Sequence, residues 1–275
     1  PPEPASGRVL VELLKLVSDG KYQLDNQHIK QNTAKEYHLL TEMMNCVYND
    51  RNSNLADPTY LSHAQKQRLQ YLVSDKHIKS ILNLIDSQSH TPSGRIATSA
   101  LSGQEGVNTT QFSVVDQWGN MVSNTYSLNH SFGSGLTVTG TGILLNNTMD
   151  DFALQLGKKN SYGLVQGKIN EVAGGKRPLS SMVPTIIVHH NWAWMATGSP
   201  GGSNIITAVF QLILNRINYQ MDLATATEMP HIHSQLFPDV MKYEQGVSPD
   251  TQSLLTSMGH QVQLSHAIGS LQTVQ

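Results

Sequence analysis

The segment Asn108-Thr109-Thr110 places a hydroxyl group at the start of a β-prone run. Inside a chain, a threonine has no basic group of its own beside that hydroxyl. If the peptide bond between Asn108 and Thr109 is broken, Thr109 gains a free α-amine, and an α-amine with a pKa of about 8 is partly unprotonated near neutral pH. One residue would then supply both the nucleophile and the base of covalent catalysis. Taken alone, the same residues also fit a simple strand start, because β-branched residues are common there.

A second segment that could do chemistry is Ser199-Pro200-Gly201-Gly202-Ser203, which precedes an apolar stretch with helical spacing. The backbone N–H groups of Gly201 and Gly202 can approach a ligand closely because neither residue has a side chain. The N-terminus of the following helix favours negative charge, so this pair is suited to an oxyanion hole. Alone, such a motif is more commonly a tight turn.

The elements that must position these residues can be predicted from periodicity. Before Thr109 the pattern is helical, with apolar spacing over 9–17, from 32 or 33 to about 49, and over 65–72 and 76–85. We interpret residues 50–54 as the end of the long helix, and Pro58 cannot continue it. Residues 87–108 are polar and lack periodicity, which predicts an exposed, mobile linker.

After Thr109 the pattern changes to strands with helices between them. Two hairpins are predicted, over 109–126 and over 185–197. Further helices are predicted over 204–218, 222–229 and 249–258, with short strands over 240–243 and 262–265. Strands packed against apolar helices predict a layered α+β body.

Composition excludes several classes of function. The chain has 275 residues, of which 39% are hydrophobic and 14% charged, and its net charge of −2 gives no reason to expect nucleic-acid or anionic-membrane binding. No apolar run approaches the roughly 20 residues that span a bilayer. Cys46 is the only cysteine, so an intrachain disulfide is impossible, and we expect it to be a buried helix residue. We predict no metal, although His231 and His233 would share one face of a strand.

Several segments in this order and spacing closely resemble the γ-glutamyltransferase (glutathione hydrolase) family of N-terminal-nucleophile hydrolases. The resemblance runs from about residue 1 to residue 275 and is strongest in the segments 109–115, 142–152, 176–185 and 197–203. It implies the four-layer αββα sandwich of that superfamily, a fold that periodicity alone does not establish. It also implies that the chain lacks the N-terminal half of a precursor. Residues 1–108 would end the large subunit, and residues 109–275 would form a small subunit clipped at its C-terminus.

The resemblance also implies a role for each matching residue. Cleavage would occur between Asn108 and Thr109, and catalysis would use Thr109, Ser127, Gly201 and Gly202. The substrate α-carboxylate would bind Ser180 and Ser181, its α-ammonium would bind Asn129, Thr148 and Asp151, and Tyr162 would close over the bound group as part of a lid. Two positions depart from the family pattern, since Ser127 replaces a threonine and Thr148 replaces a longer Gln or Glu.

The family also uses an arginine from the preceding region to bind the substrate carboxylate, and no residue of this chain matches it. Arg177 lies beside Ser180 in the sequence, but the family has that arginine as well, so we interpret Arg177 as structural. The reaction implied is transfer of a γ-glutamyl group from glutathione or a related amide to water, an amino acid or a peptide, without a cofactor. The resemblance further implies a periplasmic or secreted protein. Two alternatives remain: a related acylase that acts on cephalosporins or poly-γ-glutamate, and an inactive fragment.

Overall fold

The computed structural model describes residues 1–97, 109–153 and 167–275. In these residues the part before Thr109 is helical and the part after it mixes strands and helices. The helices are α1 (Gly7–Ser18), α2 (Ala34–Asn54), α3 (His63–Leu72), α4 (Asp75–Leu84), α5 (Ser93–Ile96), α6 (Asn204–Ile217), α7 (Leu223–Glu228) and α8 (Pro249–Ser257). The strands are β1 (Thr110–Val115), β2 (Met121–Tyr126), β3 (Thr185–His189), β4 (Trp192–Thr197), β5 (Ile232–His233), β6 (Met241–Tyr243) and β7 (Val262–Leu264). Short 3₁₀ turns occur at Pro58–Tyr60, Thr148–Asp151 and Lys168–Asn170.

One hydrophobic core joins helices from both sides of Thr109. Helix α2 is buried around almost its whole circumference, and α1 packs against both α2 and α6. In α1 the residues Val9, Leu13 and Leu16 lie on one face and are at most 1% exposed, as an amphipathic helix requires. The two parts of the chain therefore share a core instead of forming separate bodies.

The two predicted hairpins are confirmed. Strands β1 and β2 pair antiparallel with Thr110 opposite Tyr126, and β3 and β4 pair antiparallel with Thr185 opposite Thr197. The hairpins contact each other, since the Ser123 hydroxyl donates to the Thr197 carbonyl over 2.7 Å. Gly198 makes this approach possible, because a Cβ atom there would lie 2.3 Å from Oε1 of Gln111.

The third sheet has the order β5-β6-β7, with an antiparallel and then a parallel pair. Strands β6 and β7 were predicted within one residue of their observed bounds. Strand β5 does not follow from periodicity, because two residues are too few to show alternation, but it overlaps the residues 231–233 that we treated as a strand when we considered a metal site.

The predicted ends of the long helix are confirmed. Thr33, one of the two residues predicted to open it, caps α2 by accepting from the N–H of Glu36, and α2 ends at Asn54, the last residue of the stretch 50–54. Ser6 precedes α1 without a capping hydrogen bond, and its hydroxyl donates to the Ser180 carbonyl over 2.6 Å. A sequence pattern cannot show that a distant carbonyl orients a side chain of a type that often caps helices.

Apolar side chains remain exposed on both hairpins. Large patches of this kind mark interaction surfaces in soluble proteins. The most exposed are Val114, Trp118, Val122, Tyr126, Val188 and Trp192. Within the described ranges, no helix combines the length and the apolar character needed to cross a bilayer.

The prediction of an exposed linker over 87–108 holds only in part for residues 87–97, since Gln88, Ser89 and Gly94 are exposed but Ser93 is not, and 98–108 lie outside the described residues. Just before this segment, the Asp86 carbonyl lies 2.8 Å from Nε2 of His38. Further along, Ser93 is completely buried and its N–H donates to Oδ2 of Asp239 over 2.9 Å. Polar residues can be well ordered when distant partners satisfy them, and local sequence does not show those partners.

His90 anchors this segment between two carboxylates. Its Nδ1 lies 2.7 Å from Oε1 of Glu42 on α2, and its Nε2 lies 2.9 Å from Oδ1 of Asp239. Burial alone would lower the pKa of His90, but its hydrogen bonds to Asp239 and Glu42 outweigh that effect and raise the pKa to about 9. The ring of His260 packs 4.5 Å away, and burial lowers the pKa of that residue to about 3, so His90 carries the charge.

We expect this anchor to make stability depend on alkaline pH. The pKa of His90 is about 9 in the folded chain and near 6.5 when unfolded, so its stabilisation is complete below pH 6.5 and is lost as pH rises towards 9. Thermal unfolding measured from pH 6 to pH 10 should show a loss on the order of 2 kcal/mol from this group. His77 contributes to the pH dependence in the same direction. Burial lowers its pKa, but hydrogen bonds to Asp50 and Glu12 outweigh burial and raise the pKa to about 9.

A His90→Asn variant should therefore be less stable at pH 6. Its free energy of unfolding should also fall less steeply between pH 6 and pH 10, and the remaining decrease should be the contribution of His77. His28→Asn is the matched control, because that histidine pairs with Asp25 at the exposed surface. An alkaline slope that His90→Asn leaves unchanged would contradict the assignment.

Candidate active site

One cleft of about 220 Å³ collects residues from several distant parts of the chain. Eight of the predicted site residues line it: Thr109, Ser127, Asn129, Thr148, Asp151, Ser180, Ser181 and Gly202. Leu179, Met182 and Ile205 contribute apolar walls. Gly201 precedes Gly202 in the same turn but does not line the cleft, whereas Asn108 and Tyr162 lie outside the described residues.

The hairpin β1–β2 brings the predicted nucleophile to its partner. Because Thr110 pairs with Tyr126, the next residues outward, Thr109 and Ser127, lie across from each other at the open end of the hairpin. Their side-chain oxygens are 3.3 Å apart, and Ser127 Oγ also accepts from the N–H of Asn129 over 2.9 Å. The Thr109 hydroxyl is thus held by a second hydroxyl that is itself fixed by the backbone.

The glycine turn before α6 has a backbone that side chains disfavour. Gly201 has φ +135° and Gly202 has φ +58°, both in the region that glycine adopts without steric cost. A Cβ on Gly201 would also lie 3.1 Å from the Cα of Gly269. The turn is supported from below, because the hydroxyl of the buried Tyr48 donates to the carbonyl of Ser203.

The two serines at one side of the cleft are held by different groups. Ser180 Oγ accepts from the N–H of Met182 over 3.2 Å, and the N–H of Ser180 donates to the carbonyl of Pro4 over 2.8 Å. Ser181 is 6% exposed, and its Oγ accepts from Nη2 of Arg51 over 2.6 Å. These contacts fix the position of both hydroxyls relative to Thr109.

Asp151 lines the same cleft, at the end of the Thr148–Asp151 turn. The buried Asn170 connects this turn to the serine segment, since its Nδ2 donates to the Asp151 carbonyl over 2.7 Å and its Oδ1 accepts from the N–H of Leu179 over 3.2 Å. The Thr148 hydroxyl donates to Oδ1 of Asn146 over 2.5 Å, a contact within its own loop. The cleft therefore combines the hydroxyls of two serines, one carboxylate and the Thr109–Ser127 pair.

Arg177 contacts Asp57 and not the cleft, in agreement with its interpretation as structural. Its N–H, Nε and Nη2 all donate to the Asp57 carboxylate, over 2.9 to 3.0 Å. This fork of donors holds the pKa of Asp57 well below its usual range, even though that carboxylate is only 1% exposed. The contact anchors the segment that leads into Ser180.

The histidines that we considered as metal ligands have separate partners. His231 Nδ1 lies 2.9 Å from Oε2 of Glu244, and His233 Nδ1 lies 2.9 Å from the Thr207 hydroxyl. Burial lowers the pKa of His233 to about 3, so its ring is neutral. Among the described residues, two other groups have atoms close enough to surround an ion: His38 with Glu42 and His260, and His77 with Glu12 and Asp50. Both ring nitrogens of His38 and Nε2 of His77 already contact protein groups, and the absence of a metal stays a prediction.

Sequence reasoning missed the three residues that hold the cleft from behind: Tyr48, Arg51 and Asn170. Each is at most 1% exposed, which is unusual for an arginine and an asparagine. One signal was present, since Tyr48 and Arg51 are three positions apart and so share one face of α2. We instead interpreted Arg51 as part of a helix end.

Comparison with known proteins adds three findings about sequence. The family model described as Gamma-glutamyltranspeptidase matches residues 1–275. The glutathione hydrolase proenzyme of Escherichia coli strain K12 is 41% identical over 274 residues, which are 99% of this chain and 46% of that protein. The glutathione hydrolase proenzyme of Pseudomonas sp. strain A14 is 40% identical over 259 residues, 94% of this chain and 44% of that protein. The chain thus spans about half the length of these curated relatives.

Solved structures support the same grouping. A γ-glutamyltranspeptidase variant from Helicobacter pylori matches with a TM-score of 0.59 and 46% identity, over 60% of this chain and 90% of that one. The cephalosporin acylase from Bacillus halodurans matches with a TM-score of 0.77 over 99% of this chain and 45% of that one, but at 23% identity, which shows a shared fold alone. These matches confirm the predicted α+β fold of the N-terminal-nucleophile hydrolase type.

The conformation of Asn129 leads to a prediction about the cleft itself. Asn129 has φ +75°, and its Nδ2 donates to the Asn147 carbonyl over 3.2 Å. Asparagine and glycine tolerate this left-handed backbone, whereas alanine is strained there by about 1 kcal/mol. We therefore expect Asn129→Ala to unfold at a lower temperature than Asn129→Gly, although both variants lose the same amide. Equal stability, or a more stable alanine variant, would contradict this backbone requirement.

Proposed function

Because the chain belongs to the γ-glutamyltranspeptidase family, we propose that it carries the nucleophile of a glutathione hydrolase. The reaction would transfer the γ-glutamyl group of glutathione, or of a related γ-glutamyl amide, to water or to an amino acid or peptide. The observation that supports the proposal is that Thr109, Ser127 and Gly202 line one cleft together with Ser180, Ser181 and Asp151. The relatives named glutathione hydrolase support it, while the chain corresponds to only 46% of the first of them.

Maturation would break the peptide bond between Asn108 and Thr109. Residues 1–108 would then end a large subunit and residues 109–275 would belong to a small subunit with Thr109 at its N-terminus. The relatives' description as proenzymes supports this step. The partner of each subunit would be the other product of the same precursor.

The chemistry follows from the groups on the cleft wall. The Thr109 hydroxyl oxygen would attack the γ-carbonyl carbon while the Thr109 α-amine takes the hydroxyl proton. The N–H groups of Gly201 and Gly202 would donate to the oxyanion, and Ser127 would orient the attacking hydroxyl. Collapse would expel the amine leaving group, which takes the proton, and leave a γ-glutamyl ester on Thr109. Water or an acceptor amine would then attack that ester and regenerate the hydroxyl.

The head group of the substrate would be held at its two charges. The hydroxyls of Ser180 and Ser181 would donate to the α-carboxylate, and the Asp151 carboxylate would pair with the α-ammonium, with Asn129 and Thr148 beside it. Tyr162 would cover the bound group. The carboxylate at Asp151 favours a substrate with an ammonium group, which a glutaryl amide lacks, so the acylase alternative is disfavoured.

The family resemblance also leads us to propose a periplasmic or secreted location. The finding that no described helix could span a bilayer is compatible with it. Of the remaining partners, the acceptor amine is the least constrained, and we propose an amino acid or short peptide in that role. We propose no cofactor and no metal for the reaction.

Self-cleavage can be tested by the mass of the purified chain. We expect two fragments divided at Asn108–Thr109, an intact chain for Thr109→Ala, and slower cleavage for Thr109→Ser, which keeps the hydroxyl. If the native chain stays whole, the next experiment is to co-express it with the N-terminal half of the Escherichia coli relative and to measure the mass again. Cleavage only in that case indicates an incomplete enzyme, and no cleavage in either case indicates an inactive chain and refutes the proposal.

Substrate choice can be tested on the cleaved preparation with two chromogenic amides. We expect turnover of a γ-glutamyl anilide and little turnover of the glutaryl anilide, which lacks the amine. Asp151→Asn should lower kcat/KM for the γ-glutamyl anilide by about 10- to 100-fold, because a charge-assisted contact contributes about 1.5–3 kcal/mol. Asp150→Asn is the matched control and should have a small effect. Preference for the glutaryl anilide would favour the acylase alternative.

A further inference from the structure

The arginine behind the serine pair gives the cleft a property that its lining residues alone do not show. We propose that Arg51 is a positioning residue, which turns the Ser181 hydroxyl into a donor for the substrate carboxylate and sets the preference for γ-glutamyl over acyl groups that lack the α-carboxylate. This inference rests on the proposed function, because it takes Ser181 to face the substrate carboxylate.

The direction of one hydrogen bond is the first step. Arg51 Nη2 lies 2.6 Å from Ser181 Oγ, and a guanidinium group has donors only. Ser181 Oγ must therefore accept from Arg51, and its own proton must be directed to a different acceptor. Ser181 lines the cleft and Arg51 does not. A carboxylate bound in the cleft would be an acceptor for that proton.

The guanidinium is fixed in more than one direction. Its Nη1 donates to Oδ1 of Asn52 over 3.0 Å, and its Nε lies 3.4 Å from the Ser6 hydroxyl oxygen. The Ser6 hydroxyl in turn donates to the carbonyl of Ser180 over 2.6 Å. One planar group thus contacts Ser181 directly and reaches Ser180 through Ser6, so both serines depend on its position.

The charge of Arg51 matters because of where it lies. Its side chain is 1% exposed, so solvent screens it little and its field acts on the adjacent hydroxyl. A hydroxyl that accepts from a cation is a stronger donor to an anion on its other side. The buried cation therefore favours a carboxylate at Ser181, while the Asp151 carboxylate favours a cation next to it in the same cleft. A lysine would keep the charge but lose the fork that contacts Asn52 and Ser6.

The test compares two substrates that differ in the α-carboxylate. The γ-glutamyl anilide carries that group, and the 4-aminobutyryl anilide is the same acyl group without it. For Arg51→Met we expect KM for the γ-glutamyl anilide to rise by about tenfold or more with kcat within threefold, since one charge-assisted contact is lost. For the 4-aminobutyryl anilide we expect no change beyond threefold. Arg51→Lys should give an intermediate KM for the γ-glutamyl anilide.

Two further variants separate positioning from a general structural role. Ser181→Ala should raise KM in the same way, and adding Arg51→Met to it should have a smaller effect than Arg51→Met alone, because both changes act mainly through the Ser181 hydroxyl. Arg68→Met is the matched control: its Nε lies 3.4 Å from Oδ1 of Asn54 at the end of α2, and it should leave the substrate preference unchanged. If Arg51→Met does not fold, Arg51→Lys serves as the test, because it must still reduce the preference for the γ-glutamyl anilide over the 4-aminobutyryl anilide.

Three results would overturn the inference: equal loss for both anilides, a fall in kcat without a rise in KM, or additive effects of Arg51→Met and Ser181→Ala. Failure of the proposed function looks different, because the unmodified protein would then turn over neither anilide. In that case calorimetry with L-glutamate and 4-aminobutyrate still decides the matter. Weaker glutamate binding by Arg51→Met, with 4-aminobutyrate unaffected, would support the role of Arg51, and unchanged glutamate binding would refute it.

Discussion

The cleft depends on two hydrogen bonds donated by one face of helix α2. Tyr48 and Arg51 are one turn apart, so both side chains leave the helix in the same direction. Tyr48 donates to the carbonyl of Ser203 behind the glycine turn, and Arg51 donates to the hydroxyl of Ser181. A single buried helix therefore sets the distance between the turn proposed to stabilise the oxyanion and the loop proposed to bind the carboxylate. Because α2 precedes Thr109 in the chain, the segments before and after the proposed cleavage point must stay together for the cleft to keep its shape.

The proposed nucleophile is positioned by a different principle, the register of a hairpin. An antiparallel pair with Thr110 opposite Tyr126 places Thr109 and Ser127 opposite each other where the hairpin opens. A shift of one strand by one residue would direct the two hydroxyls to opposite faces, so the register is as important as the residue types. The buried Gln111 helps to fix it, since its side chain contacts Thr125 and Ser123 on β2 and fills the space left by Gly198.

Local sequence patterns predicted most helices and strands well. The features that they missed depend on hydrogen bonds between residues far apart in the sequence. Both hairpins, the Thr33 cap and the helix α6 follow from residue order within a few positions, because turns, caps and periodicity act locally. The ordered segment at His90 depends on Glu42 and Asp239, which are 48 and 149 residues away along the chain. The burial of Arg51 likewise depends on Ser181, 130 residues away. Polar residues give no local sign of such partners, so the sequence indicated neither the contacts of His90 nor the burial of Arg51.

The charge distribution of the cleft explains why the departures from the family pattern are tolerable. Thr148 is shorter than the Gln or Glu that it replaces, and its hydroxyl donates to Asn146, so in the proposed binding mode Asp151 supplies the charge that pairs with the ammonium. Asp151 is held in turn by Asn170, which also binds the backbone of Leu179 beside Ser180. The Asp151 turn and the serine segment are therefore coupled through one buried amide, while the buried guanidinium of Arg51 contacts Ser181 from behind. In the proposed binding mode, a ligand with both an ammonium and a carboxylate contacts Asp151 and the serines together, so selection rests on two contacts even where Thr148 is shorter.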